Sequence, residues 1–199
     1  MKRILVLLFV ASACVLSAQP KKAPKMAPMT APGYYVGAKN DTVRGEIQTN
    51  PEDETSLYKV FSFKPANSGK LMPVSTKKAK AYGFEDKHFV RITDDEGDKY
   101  LERLAEGRLN FYKLRYNGKV DGMPGIETQY YMQDTRAEGA QAGLKEISKI
   151  STKFYKRDLK DYMKDQPMIW SDLDKFTFDE RAVTNAINEF NKYYMPSAD

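Results

Sequence analysis

The chain is poor in the residues that most often carry chemistry. Among its 199 residues there is one cysteine, Cys14, and one histidine, His88. A zinc site built from imidazoles and thiolates is excluded, because carboxylates would have to supply nearly every ligand. A serine triad would depend on His88, yet no Gly-x-Ser-x-Gly elbow or similar motif is present. There is no glycine-rich phosphate loop. Beyond the first residues no apolar run approaches the roughly 20 residues of a membrane helix. Net charge is also missing from the body of the chain. Lys2, Arg3, Lys21, Lys22 and Lys25 are the only charged residues before Gly33, and removing these five from the 32 basic residues leaves 27, equal to the 27 acidic ones. The body is formally neutral, so net charge gives a nucleic-acid surface no support.

What is present begins with "MKRILVLLFVASACVLSAQP". Lys2 and Arg3 precede an apolar run from Ile4 to Leu16, and small residues lead to Ala18. This is the pattern of an export signal, expected to be cleaved after Ala18. "ASAC" also resembles a weak lipobox, which would leave an acylated Cys14 at the N-terminus. Ala11 stands where such motifs carry Leu or Val, and Val15 and Leu16 prolong the apolar run, so ordinary cleavage is the reading taken. A chain starting at Gln19 has no thiol for disulfides, nucleophilic attack or metal binding.

The stretch from 19 to 32, "QPKKAPKMAPMTAP", has four prolines, three lysines and no apolar periodicity, and reads as a flexible linker. Near an anionic surface each of Lys21, Lys22 and Lys25 contributes about 1 kcal/mol, a weak and salt-sensitive attraction. A single domain is expected over 33–199.

Within that domain, "GAKNDTVRGEIQTN" sets Asn40 and Asp41 between two β-prone runs, Tyr34–Ala38 and Thr42–Thr49, with Val43, Gly45 and Ile47 on one face. Gly45 is expected to admit a neighbouring backbone or ring. Further strands are expected at 57–63, 70–76 (an edge, given Pro73), 79–85, 88–93, 99–107, 108–116 and 127–133. A loop containing Asn117-Gly118 and Gly122-Met123-Pro124-Gly125 should come before the last of these. In 108–116, Leu109 and Phe111 should face away from Tyr112, Leu114 and Tyr116. From about 150 the period changes to helical. Ser151 or Thr152 is expected to cap a helix carrying Tyr155, Leu159, Tyr162 and Met163. A short helix follows from Pro167 with Ile169, Leu173 and Phe176, and a last one follows Thr177 or Asp179 with Val183, Ala186, Ile187, Phe190 and Tyr194. The expected class is α+β, an antiparallel meander of about seven to eight strands followed by two to three C-terminal helices packed on the sheet.

These motifs carry a resemblance. "GYYVGAKNDTVRGEI", "YLERLAEGRLNFYKLRY" and "AVTNAINEFNKYY" together resemble an uncharacterised family of secreted envelope proteins from Bacteroidetes-type bacteria, over most of 33–194. Asn40 departs from the glycine usual in that hairpin but serves the same turn. The resemblance implies an exported envelope protein and carries over no catalytic residue.

Three clusters could carry chemistry. Asp94, Glu96 and Asp98 offer oxygens, but Lys99 and Ala105 stand where a calcium loop wants glycine and glutamate, so a solvated hairpin turn at Glu96-Gly97 is expected. Asp158, Asp161 and Asp165 alternate with Lys156, Lys160 and Lys164, as on a solvated helix face. The 13 tyrosines include the pairs Tyr34-Tyr35, Tyr130-Tyr131 and Tyr193-Tyr194. Within strands, adjacent rings point to opposite faces. They imply either outward tyrosines for protein or glycan contact or a sheet covered on both sides, and the covered sheet is favoured. The function expected is non-enzymatic binding or scaffolding at the outer membrane or cell wall. Its partner would be an envelope protein or glycan, with no cofactor, no metal and no nucleic acid. The alternatives are a carboxylate-dependent hydrolase of an envelope or extracellular polymer, and a lipoprotein subunit of an outer-membrane assembly.

Overall fold

A computed structural model describes residues 27–135, 148–173 and 177–194. The expected signal, Cys14 and the leader lysines Lys21, Lys22 and Lys25 lie outside them.

Strands β1 (Met29–Gly37) and β2 (Thr42–Thr49) form the first hairpin. Asn40 closes its turn with φ 64°, the left-handed conformation that asparagine tolerates. β1 starts earlier than the boundary read from sequence. Met29 to Pro32 pair with Thr49 to Glu46, so these four residues belong to the sheet rather than to a linker. Pro32 is tolerated there because the ladder on its other side begins only at Gly33–Phe84. Gly45 meets the expectation of close approach: a Cβ there would lie 2.2 Å from the Lys64 carbonyl oxygen.

The segment expected as a strand from 57 is divided. Glu54–Tyr58 is a 3-10 helix, and β3 runs over Val60–Pro65. Leu57 and Tyr58 are both buried, which adjacent residues of a half-covered strand cannot achieve but those of a tight helical turn can. β4 (Met72–Ser75) is an edge strand containing Pro73, as expected. Then follow β5 (Ala79–Phe84), β6 (Lys87–Asp94), β7 (Gly97–Ala105), β8 (Leu109–Val120), β9 (Met123–Asp134) and β10 (Ser148–Ile150). All ten belong to one antiparallel sheet of order β10-β9-β8-β7-β6-β5-β1-β2-β3-β4. The count exceeds the expected seven to eight, β10 being unforeseen, and the β8–β9 region is longer than expected. Its Gly and Pro residues read as a long loop, yet Gly118 faces Gly125 and Lys119 faces Pro124 inside a continuous ladder. Only Asp121 and Gly122 make the turn, at φ 51° and 81°.

The sheet coils on itself. β3 stands five places from β7, about 24 Å in a flat sheet, but the Phe61 and Tyr100 rings are 5.9 Å apart. Phe61 stacks on Tyr82 at 4.0 Å, and Tyr82 on Phe89 at 4.5 Å. This aromatic column, with Ile47, Phe63, Leu57 and Tyr58, is the first core. The second lies where the C-terminal helices α1 (Tyr155–Met163), α2 (Pro167–Leu173) and α3 (Glu180–Lys192) cover β8 and β9. Leu109 and Phe111 face the helices while Tyr112, Leu114 and Tyr116 face the first core. Tyr130 and Tyr131 are both buried, on opposite faces, as the covered-sheet reading expects.

The helical stripes hold, with Leu159, Met163, Val183, Ile187 and Phe190 buried; Phe176 lies outside the described residues. One cap differs. Neither Ser151 nor Thr152 closes α1, whose cap position is Phe154 without a side-chain bond. Asp179 caps α3, accepting from the Ala182 N–H at 2.7 Å. No helix among the described residues is long and apolar enough to cross a membrane.

Candidate functional site

Of the acids foreseen as candidates, Asp94, Glu96, Asp158 and Asp165 are held in ion pairs, while Asp98 accepts from the Thr93 hydroxyl. Asp94 and Glu96 hold Lys99 at 2.8 and 2.7 Å across the hairpin turn, where Gly97 adopts φ 105°. Burial works against the Lys99 ammonium, but the two carboxylates outweigh it and raise its pKa. Asp158 pairs with Arg157, Asp165 accepts from Arg108 and Tyr194, and Asp161 is exposed. The three share no cavity. His88 sits on β6, its Nδ1 3.0 Å from the Tyr34 hydroxyl. Among the described residues no three of His, Cys, Asp and Glu gather as metal ligands.

A different pair of acids is brought together by the fold. Glu102 of β7, only 8% exposed, faces Lys113 of β8 in the ladder. The Lys113 ammonium lies 3.5 Å from Glu102 Oε2 and 3.1 Å from Glu180 Oε1 at the start of α3. The Tyr58 hydroxyl donates to Glu102 and that of Tyr130 to Glu180, at 2.9 and 2.8 Å. Burial, followed by the neighbouring carboxylates, pushes both phenols far above the usual tyrosine range. A cavity of about 260 Å³ opens beside this chain, with Leu57, Phe84 and Phe89 as its apolar wall. Each carboxylate already holds an ammonium and a phenol. The arrangement therefore ties the 3-10 helix, the three strands β7, β8 and β9, and α3 together.

The second site is on the outer surface of β5, β1, β2 and β3, a groove of about 620 Å³. Alternation along β1 turns Tyr34 outward while Tyr35 packs in the first core. Gly83 lies opposite Tyr34 in the ladder, and a Cβ there would come within 2.9 Å of the tyrosine ring. The ring thus lies down over β5 and forms a wall of the groove. Arg44, Glu46 and Lys64 line the other side, with Lys64 and Glu46 paired at 3.2 Å. Arg44 forms no ion pair among the described residues and stands exposed. An aromatic wall beside an unpaired guanidinium can stack on and hydrogen-bond a planar or polyhydroxylated group.

Sequence reasoning placed one ring of the Tyr34-Tyr35 pair outward without saying which, favoured a covered sheet, and missed Glu102, Lys113 and Glu180. Glu102 follows Tyr100 by two, which put a carboxylate on the core face of an alternating strand. That was the available signal. No family model, curated protein or solved structure matches the chain.

Proposed function

We propose that the protein is an exported, non-enzymatic protein of the bacterial envelope that binds or scaffolds at the outer membrane or cell wall. The observation that carries this reading is the Tyr34 groove, an open surface with an aromatic wall and an exposed guanidinium. The acids best placed for catalysis, Glu102 and Glu180, are by contrast occupied by Lys113 and two phenols. The partner class that suits the groove is an envelope protein or glycan. The signal-like N-terminus and the family resemblance support export, and Lys21, Lys22 and Lys25 add a weak attraction to an anionic surface on the way.

Mass spectrometry of the protein recovered from the cell envelope tests the export step. An N-terminus at Gln19 is the expected result. An acylated Cys14 would make the protein membrane-anchored, and an intact Met1 would overturn export.

A further inference from the structure

The β8–β9 hairpin outruns its neighbours. Among the described residues, β7 pairs with β8 only as far as Glu102–Lys113, and β10 pairs with β9 only from Tyr130 to Met132. From Leu114 to Gln129 the two strands are an arm paired with each other. Val120 and Met123, at its tip, are 46% and 68% exposed. Where β7 and β8 part, a cleft of about 710 Å³ opens, lined by Glu96, Asp98 and Lys99, by the 3-10 helix with its flanking residues, and by Leu114 to Asn117.

The direction of the open backbone can be read from the register. Lys119 faces Pro124, which has no N–H to give. The Lys119 N–H turns instead to the far side and donates to Glu127 Oε1 at 2.7 Å, a carboxylate folded across Gly118. In an antiparallel ladder the alternate residues share that direction, so the backbones of Arg115 and Asn117 also face the open edge.

We propose that this edge of β8 pairs with the same edge of a second copy around a twofold axis at Gly118. Two identical antiparallel edges are self-complementary under such an axis. Only registers centred on a residue keep each side chain on its own face, and charge chooses among them. A centre at Tyr116 would need Lys119 opposite Lys113, whose edge Glu102 of β7 already holds, and one at Asn117 sets Arg115 against Lys119. A centre at Lys119 sets that lysine against itself. At Gly118, Arg115 meets Asp121 twice, Asn117 meets Lys119, and Tyr116 covers Val120. Opposite charges across a ladder stabilise it, and like charges oppose it. The tip of each arm reaches the cleft beside the other's β8. Arg115 already pairs with Glu54, and its five N–H donors suffice for a second carboxylate. On pairing, the Lys119 N–H exchanges Glu127 for the carbonyl of Asn117 of the partner subunit.

The test is sedimentation equilibrium of the purified protein with two charge variants, each checked for fold by circular dichroism. The wild type should show a concentration-dependent dimer. Asp121→Arg and Arg115→Asp should each weaken it by about tenfold or more, since each sets like charges opposite one another twice. Mixed in equal amounts, the two variants should recover the dimer, because each arm then meets its opposite. If Arg115→Asp loses the fold beside Glu54, the double variant Glu54→Gln/Arg115→Asp takes its place. A wild type that stays monomeric, a dimer indifferent to Asp121→Arg, or a mixture that stays dissociated would overturn the proposal.

Discussion

Asn191 of α3 holds both backbone groups of Leu109. Its side-chain oxygen accepts from the Leu109 N–H at 2.8 Å, and its amide donates to the Leu109 carbonyl at 2.8 Å and to that of Glu106 at 3.2 Å. One buried side chain thereby fastens the last helix to the turn between β7 and β8, where the pairing of these two strands begins. Gly107, in the same turn, has φ 154°, and a Cβ there would stand 2.6 Å from the Asn191 side chain.

Asn191→Ala is expected to cost about 3 kcal/mol or more, because two buried backbone groups lose their partners. Gly107→Ala should also destabilise, through strain at its backbone and the clash with Asn191. Urea unfolding measures both, and an Asn191→Ala change below about 1 kcal/mol would show that water replaces the amide.

Lys113→Met leaves Glu102 and Glu180 facing each other without their shared cation. Breaking a buried pair costs about 3–5 kcal/mol, and the partial exposure of Glu180 points to the lower end. The double variant Glu102→Gln/Lys113→Met should regain most of the loss, since the amide still accepts from Tyr58 and no longer carries charge. Equal instability of the single and double variants in thermal melts would place the cost in packing.

Glu127 links pH to the arm. The Tyr116 hydroxyl first, and then the Lys119 N–H, hold its carboxylate below the usual glutamate range. A lowered folded pKa means that its contribution to arm order is complete above the ordinary glutamate value and is lost as pH falls through the lowered one. Carbon-13 NMR titration should find a depressed midpoint that moves up in Tyr116→Phe. An ordinary midpoint, or one unmoved by that substitution, would contradict the bonding described.

Periodicity made much of this fold readable. Ile47 was legible as a core residue from alternation alone, and it is fully buried while Glu46 pairs with Lys64 at the surface. Ile47→Asp should therefore cost several kcal/mol and Glu46→Ala less than about 0.5 kcal/mol, as denaturant midpoints will show; equal effects would reverse the assignment of faces. The coil of the sheet was not legible, because it depends on contacts such as Phe61 on Tyr100 between strands distant in the chain. The arm was hidden because two Gly-containing pairs imitate turns, and only backbone angles distinguish Asp121-Gly122 from Asn117-Gly118. At the candidate sites, Tyr34 was visible as one of two adjacent rings. The groove itself needs Gly83 opposite it, a register that local pattern does not supply. Asn191 lies four residues after Ile187, on the buried stripe, yet a polar residue at a stripe's margin reads as solvated until its partner strand is known.

The claim that the protein works by binding through the Tyr34 groove is tested most directly with outer-membrane and cell-wall fragments from the producing cells. Wild-type protein and Tyr34→Ala, both confirmed folded, are sedimented with the fragments, and the supernatant is assayed for released material. The account expects the wild type to bind, Tyr34→Ala to lose most of that binding, and no fragments to be released by either. Equal binding of the two proteins would contradict it, as would steady release of soluble fragments by the wild type that stops in Glu102→Gln.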